Sequence, residues 1–205
     1  MEPEAYRIGW VPFIHAKIYL GSKPLIPRTE TEYWLDAVIK KIKGKKILDL
    51  CAGSGCIGVA VLKEIPDSHV DFVEIDENHH VTIRKNILEN GIDVKRTKIF
   101  DGDLFGNILD TYDVIFSNPP YIDPKLLNRV QKSVINFEPK QALLGGEEGM
   151  EIIDKILKNF SKFLNPDGVL YIEHEPEQVE KLKKYAGYID SYPDQYGVLR
   201  YSRFH

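Results

Sequence analysis

The stretch Ile47-Leu48-Asp49-Leu50-Cys51-Ala52-Gly53-Ser54-Gly55-Cys56-Ile57-Gly58 decides how the chain is read. Its first four residues form a short apolar run suited to a strand buried on both faces. Gly53-x-Gly55-x-x-Gly58 follows and runs into the apolar segment 57–62, so the order is strand, glycine-rich loop, helix. Glycines in such a loop let a ligand approach the backbone where side chains would obstruct it. Glu74 comes about twenty residues later, at the end of the next predicted strand, where a carboxylate can accept hydrogen bonds from both hydroxyls of a ribose. Loop and acid together predict an adenosine-containing cofactor, and nicotinamide dinucleotides satisfy the same pattern. Asp49, just before the loop, can organise the turn or meet the ammonium end of a cofactor. A carboxylate has no favourable contact with a pyrophosphate, which points to S-adenosylmethionine (AdoMet).

Downstream, residues 70–75 predict a second strand and 77–90 a helix stopped at Gly91. Lys98-Ile99-Phe100 and Val114-Ile115-Phe116 predict a third and a fourth strand. Residues 121–148 read as an elaborated loop with one short helix, long enough to call for a functional explanation. Met150, Ile153, Leu157, Phe160 and Leu164 are spaced as an amphipathic helix closed by Asn165-Pro166-Asp167-Gly168. Residues 169–172 predict a fifth strand, 177–185 a helix, and 188–189 with 198–201 an antiparallel hairpin. Upstream, residues 1–28 form a lead-in with a predicted β-hairpin. Thr29 and Glu32 then carry a capping-box pattern for a helix over 30–43, with Gly44 as its stop. The expected organisation is a lead-in, 1–28, and one α/β domain, 29–205, Rossmann-like, with a mostly parallel sheet and a C-terminal antiparallel hairpin. Ligands of such sheets bind beyond the carboxyl ends of the strands.

Composition agrees with one globular domain: 205 residues, 43% hydrophobic and 28% charged. No apolar run reaches the roughly 18 residues of a membrane span, and Met1-Glu2-Pro3-Glu4 lacks the basic end of a secretory signal. The expected location is therefore cytoplasmic. A formal charge of −4 argues against a protein that grips phosphate backbones. The lysine-rich stretch 40–46 is read as complementing a helix C-terminus. Cys51 and Cys56 match no zinc spacing and are read as reduced packing residues, and the histidines show no metal pattern.

Asn118-Pro119-Pro120-Tyr121, after the fourth strand, is the most specific feature. Two prolines fix φ and remove two N–H donors, so the turn offers acceptors in a rigid frame. The Asn118 side-chain oxygen and the Pro119 carbonyl can each accept from a substrate NH2 group, aiming its lone pair at a methyl carbon. Tyr121 can stack on a planar amide or base. Asp103-Leu104-Phe105, after the third strand, can bond an adenine amino group and cover its ring. An activated methyl needs alignment more than a nucleophilic side chain.

These residues resemble the HemK/PrmC family of protein-glutamine N5-methyltransferases that act on peptide-chain release factors. Leu25-Ile26-Pro27-Arg28-Thr29-Glu30-Thr31-Glu32 resembles the family's LIPRPETE segment, and residues 48–55 its LDLGTGSG loop, with Cys51 and Ala52 in place of Gly-Thr. Asn118 to Ile122 is similar to the NPPYI signature, and 137–139 with 143–149 to the later FEP and LxGGxDG stretch. The resemblance implies a class I AdoMet-dependent methyltransferase fold. It also implies an AdoMet site lined by Cys51, Ala52, Gly53, Ser54, Gly55, Glu74, Leu104 and Asn118. Asn118, Pro119, Pro120 and Tyr121 would hold the substrate glutamine, and Arg28 and Glu30 would shape the entrance. The family usually carries a helical recognition domain ahead of the catalytic one, and this chain starts near the linker. The expected partner is a release factor, with the catalytic domain alone or a partner protein supplying the recognition surface; the remaining alternative is a different protein substrate. Two other readings share the turn: an adenine-N6 methyltransferase acting on an unstacked base, and a module that binds AdoMet without turnover.

Overall fold

The computed structural model describes residues 1–42 and 45–205. α1 (Glu4–Ile8) leads into the antiparallel hairpin β1 (Trp10–Phe13) and β2 (Ala16–Tyr19), followed by α2 (Thr29–Ile39). Strands and helices then alternate: β3 (Lys46–Leu50), α3 (Cys56–Glu64), β4 (His69–Glu74), α4 (Glu77–Glu89), β5 (Thr97–Asp101) and β6 (Tyr112–Ser117). After β6 come α5 (Lys132–Phe137), α6 (Lys140–Leu143), α7 (Glu151–Leu157), β7 (Leu164–Glu173), α8 (Val179–Leu182), β8 (Tyr188–Pro193) and β9 (Leu199–Phe204).

The main sheet has seven strands in the order β5-β4-β3-β6-β7-β9-β8. β3 lies between β4 and β6 and is parallel to both, while β9 runs antiparallel to β7 and β8. Chain direction across the sheet therefore reverses beside β3, and a crevice opens there at the carboxyl ends of the strands. β3 is buried on both faces: Ile47 packs with Trp34, Val59 and Phe116, and Leu48 and Leu50 pack with Ile153, Ile156 and Leu170 on the other side. The third glycine of the loop motif is a packing residue. A Cβ on Gly58 would stand 2.3 Å from Phe72 Cε1, so only glycine lets α3 lie this close to β4.

Several sequence expectations are corrected. α2 runs over Thr29–Ile39, and residues 43 and 44, where its end was expected, lie outside the described residues. Its capping box does not form: the helix has no side-chain cap, and the Glu32 carboxylate instead accepts from the Ile14 N–H in the β1–β2 turn. The helix expected from Met150 to Leu164 stops at Leu157, because the next aromatic residues leave it to pack. Phe163 stacks on Phe105 with centroids 4.5 Å apart, and Phe160 meets Phe204 edge-on at 5.8 Å. Residues 165–168 are then a bulge inside β7: its pairing with β6 shifts between Tyr112↔Leu164 and Val114↔Val169. The segment 121–148 holds two short α-helices where one was expected. Lys40, Lys45 and Lys46 each pair with a carboxylate, on Asp36, Asp67 and Asp110 respectively.

Candidate active site

A cleft opens at the carboxyl ends of β3, β4, β5 and β6. Its floor is the loop after β3, where Cys51, Ala52, Gly53 and Ser54 face the open space. Cys51 has φ of +64°, a left-handed conformation that favours glycine. Burial pushes its thiol well above the ordinary value, with the nearby Glu74 carboxylate acting in the same direction. Glu74 closes one side. Its carboxylate accepts from Gly53 N–H at 2.7 Å and from Asp76 N–H at 2.9 Å, which fixes it at the cleft wall with lone pairs still available. Asp76, His79, Asp103 and Leu104 extend that wall, and Leu25, Pro27 and Ala142 cover the opposite one. Among the described residues, no lysine or arginine lines the cleft.

Asp49 and Gly55 stand behind the floor. Asp49 is 1% exposed, and Oδ2 accepts from Gly58 N–H at 2.9 Å, so its part is to shape the loop. Burial raises its carboxyl to about 7, against the lowering effect of that hydrogen bond. Gly55 caps α3 with φ of +75°. Phe105 is stacked in the core on Phe163, while Leu104 lines the cleft.

Asn118 belongs to two clefts. With Pro120 it lines the one just described, and with Pro119 and Tyr121 it lines an adjoining one bounded by Arg28, Val130, Val134 and Leu143. The turn follows β6 directly, and its orientation is set from β7. Glu173 ends β7 and is 1% exposed. Its Oε1 accepts from the Tyr121 hydroxyl at 2.9 Å, and its Oε2 from Thr31 Oγ1 at 2.7 Å and Trp34 Nε1 at 2.8 Å. Thr31 Oγ1 in turn accepts from Asn118 Nδ2 at 3.2 Å. Burial raises the Glu173 carboxyl, while these three donors pull it back down. Behind Tyr121, Gln178 Nε2 donates to its carbonyl oxygen at 3.0 Å, and Gly149 packs so tightly that a Cβ there would stand 1.9 Å from that oxygen. Arg28 reaches the side of the adjoining cleft and pairs with Glu138; Glu30 bonds only Thr29 among the described residues.

The structure thus brings together Cys51, Ala52, Gly53, Ser54, Glu74, Asp103, Leu104 and Asn118 around one cleft. Thr31, Trp34, Glu173 and His79 are contributors that the sequence reading missed. Glu173 carried a usable signal: an acid directly after the apolar run of a predicted strand, the pattern that identified Glu74.

Comparison with known proteins gives the family and the fold. Residues 13–143 match the family model described as the methyltransferase small domain. A release factor glutamine methyltransferase of Thermodesulfovibrio yellowstonii is 34% identical over 191 residues, covering 90% of this chain and 68% of the relative. One of Rhodopirellula baltica is 36% identical over 183 residues, covering 85% of this chain and 62% of the relative. Among solved structures, a ribosomal protein L11 methylase of Lactobacillus delbrueckii subsp. bulgaricus superposes with a TM-score of 0.66 at 14% identity, covering 90% of this chain and 82% of that one. That likeness shows the Rossmann-like methyltransferase fold. The 34% identity to the first of these relatives, 68% of whose length the match covers, shows with the family model that this chain belongs to the release factor glutamine methyltransferase family.

Proposed function

We propose that this protein methylates the side-chain amide nitrogen (N5) of a glutamine, with AdoMet as methyl donor and the Gly-Gly-Gln glutamine of a peptide-chain release factor as acceptor. The observation that carries the reading is the double placement of Asn118, which borders both the cleft beside Glu74 and the adjoining one. A donor in the first and an acceptor in the second would meet at that residue.

The residues of the cleft beside Glu74 fit AdoMet. Glu74 is positioned to accept from two ribose hydroxyls, Asp103 and Leu104 to meet the adenine, and the backbone of 51–54 to lie under the methionine part. A wall with Glu74, Asp76 and Asp103 but no lysine or arginine among the described residues suits a cationic sulfonium better than a pyrophosphate. AdoMet, when bound, supplies a methyl group already activated by its positive sulfur. The protein then has to position a poor nucleophile. Asn118 Oδ1 and the Pro119 carbonyl accept from the substrate NH2 group, turning the nitrogen lone pair toward the methyl carbon and stabilising the positive charge that grows on nitrogen. The nitrogen so held would take up the methyl as its bond to sulfur breaks, and would then release one N–H proton to solvent.

The test is to incubate the purified chain with labelled AdoMet and a release factor carrying Gly-Gly-Gln, with and without cell extract, and to map the product by mass spectrometry. One methyl on that glutamine, lost when the glutamine becomes asparagine, is the expected result. Transfer only to adenine in nucleic acid, or AdoMet binding with no transfer to any acceptor, would overturn it.

A further inference from the structure

We propose that Thr31 is a positioning residue that selects the orientation of the Asn118 amide through a one-way hydrogen-bond relay ending on Glu173. The inference rests on the methyl-transfer reading of the Asn-Pro-Pro-Tyr turn and adds a residue from outside it.

An asparagine side chain has one end that accepts and one that donates, and a half-turn about its last bond exchanges them. For Asn118 the difference is functional. With Oδ1 toward the acceptor cleft, the substrate NH2 is held. With Nδ2 there, two NH2 groups face each other and the substrate is repelled. The prolines hold the backbone of the turn but exert no control over this last torsion.

The relay supplies that control. Glu173 Oε2 receives the Trp34 Nε1 proton at 2.8 Å and lies 2.7 Å from Thr31 Oγ1. An ionised carboxylate has no proton to give, so the Thr31 hydroxyl must donate its only proton to Glu173. Its oxygen is then left solely as an acceptor, 3.2 Å from Asn118. Only the amide nitrogen can satisfy it. The Asn118 oxygen is thereby turned outward, and it has no protein partner among the described residues. Tyr121 donates to the other Glu173 oxygen, so one buried carboxylate fixes both ends of the turn. Thr31 arrives there because it lies in the first turn of α2, one turn from Trp34, which aims both side chains at the end of β7.

The relay separates orientation from charge and from packing, and three variants exploit this. Thr31→Val keeps the shape and removes the hydroxyl. It should lower kcat/KM for the acceptor about 30- to 100-fold while AdoMet affinity stays within about threefold, because an unguided amide spends most of its time in the orientation that repels the substrate NH2. Thr31→Ser restores the hydroxyl and should recover turnover to within about fivefold of wild type. In Glu173→Gln, the amide oxygen must take the position facing Trp34 and Thr31, since both donate there. The relay keeps its direction, and turnover should remain within about tenfold.

The readouts are single-turnover methylation by each variant, melting temperatures, and side-chain NMR of Asn118 in the wild type, where the Nδ2 protons should exchange more slowly than those of an exposed asparagine. Thr31→Val within threefold of wild type, equal losses in Thr31→Val and Thr31→Ser, or a loss in Glu173→Gln as deep as in Thr31→Val would each overturn the relay. Fast solvent exchange of the Asn118 amide in the wild type would do the same without any mutant having to fold. Absence of glutamine methylation by the wild type would overturn the underlying functional reading instead.

Discussion

Arg28 Nη2 lies 2.9 Å from both carboxylate oxygens of Glu138, 110 residues further along the chain. The Glu138 side chain is 1% exposed and accepts a third hydrogen bond from Ile26 N–H at 3.0 Å. This contact ties the long segment after the Asn-Pro-Pro-Tyr turn to the residues ahead of α2, and both contribute to the lining of the cleft beside Pro119 and Tyr121. A carboxylate this deeply buried tolerates its charge only while its partner is present.

Arg28→Ala should therefore destabilise the fold by about 3 kcal/mol, because it leaves the Glu138 charge buried with only a backbone donor. Adding Glu138→Gln to that variant should recover about half of the loss, since the amide carries no charge to strand. Urea denaturation of the three proteins measures both effects. An Arg28→Ala midpoint indistinguishable from wild type would show that the pair contributes orientation alone.

The contrast between Glu74 and Glu138 shows what the sequence could convey. Glu74 was legible because its position follows from a local rule: an acid at the end of the strand after a glycine-rich loop. The parallel sheet, the loop and the Asn-Pro-Pro-Tyr turn were legible for the same reason, since each is a short pattern with a local physical cause. Glu138, Thr31 and Trp34 take their meaning from partners more than 100 residues away, and no periodicity announces such pairings. Two local patterns also misled. Glu32 fits a capping box but is drawn to Ile14 of the hairpin, and Phe160 and Phe163 extend a helical spacing but are claimed by aromatic partners. In both cases a tertiary contact outweighed a helical preference worth a few tenths of a kcal/mol per residue.

Glu74→Ala should weaken AdoMet binding by about 1.5 to 3 kcal/mol, the loss of two charge-assisted hydrogen bonds to the ribose. The carboxylate also holds Gly53 N–H and Asp76 N–H, so part of any loss will come from a loosened loop. Glu74→Gln separates the contributions, because it retains one acceptor oxygen while losing the charge, and it should fall between wild type and alanine. Calorimetric titration of folded variants decides it. Unchanged affinity in Glu74→Ala would remove this residue from the cofactor site.

Asp49 gives a pH-dependent stability with a definite sign. Its carboxyl is raised from 3.8 to about 7 in the folded protein, so between those values the native state holds a proton that the unfolded chain has released. This contribution is fully present below pH 3.8 and is lost as pH rises through about 7, with a limiting slope of roughly 1.4 kcal/mol per pH unit. Asp49→Asn has no such proton. Denaturation midpoints at pH 5, 6 and 7 should therefore show the stability of wild type relative to Asp49→Asn falling steadily with pH. A constant difference would mean that Asp49 is ionised throughout.

The decisive prediction for the chemistry concerns Asn118. Its Nδ2 donates to Thr31, which leaves its Oδ1 free to accept from a substrate NH2 group. Asn118→Ala removes that acceptor and frees the substrate amide to rotate away from the methyl carbon. Because the bond strengthens as nitrogen becomes positive, the loss should appear in turnover, about 10² to 10³-fold or roughly 2.7 to 4 kcal/mol. AdoMet affinity should fall far less. Asn118→Asp retains an acceptor oxygen beside Thr31 but has no amide proton to give it, so it should keep more activity than alanine and less than wild type. Single-turnover rates at saturating AdoMet compare the three directly, and a loss below threefold in Asn118→Ala would show that the turn does not act by holding the acceptor nitrogen.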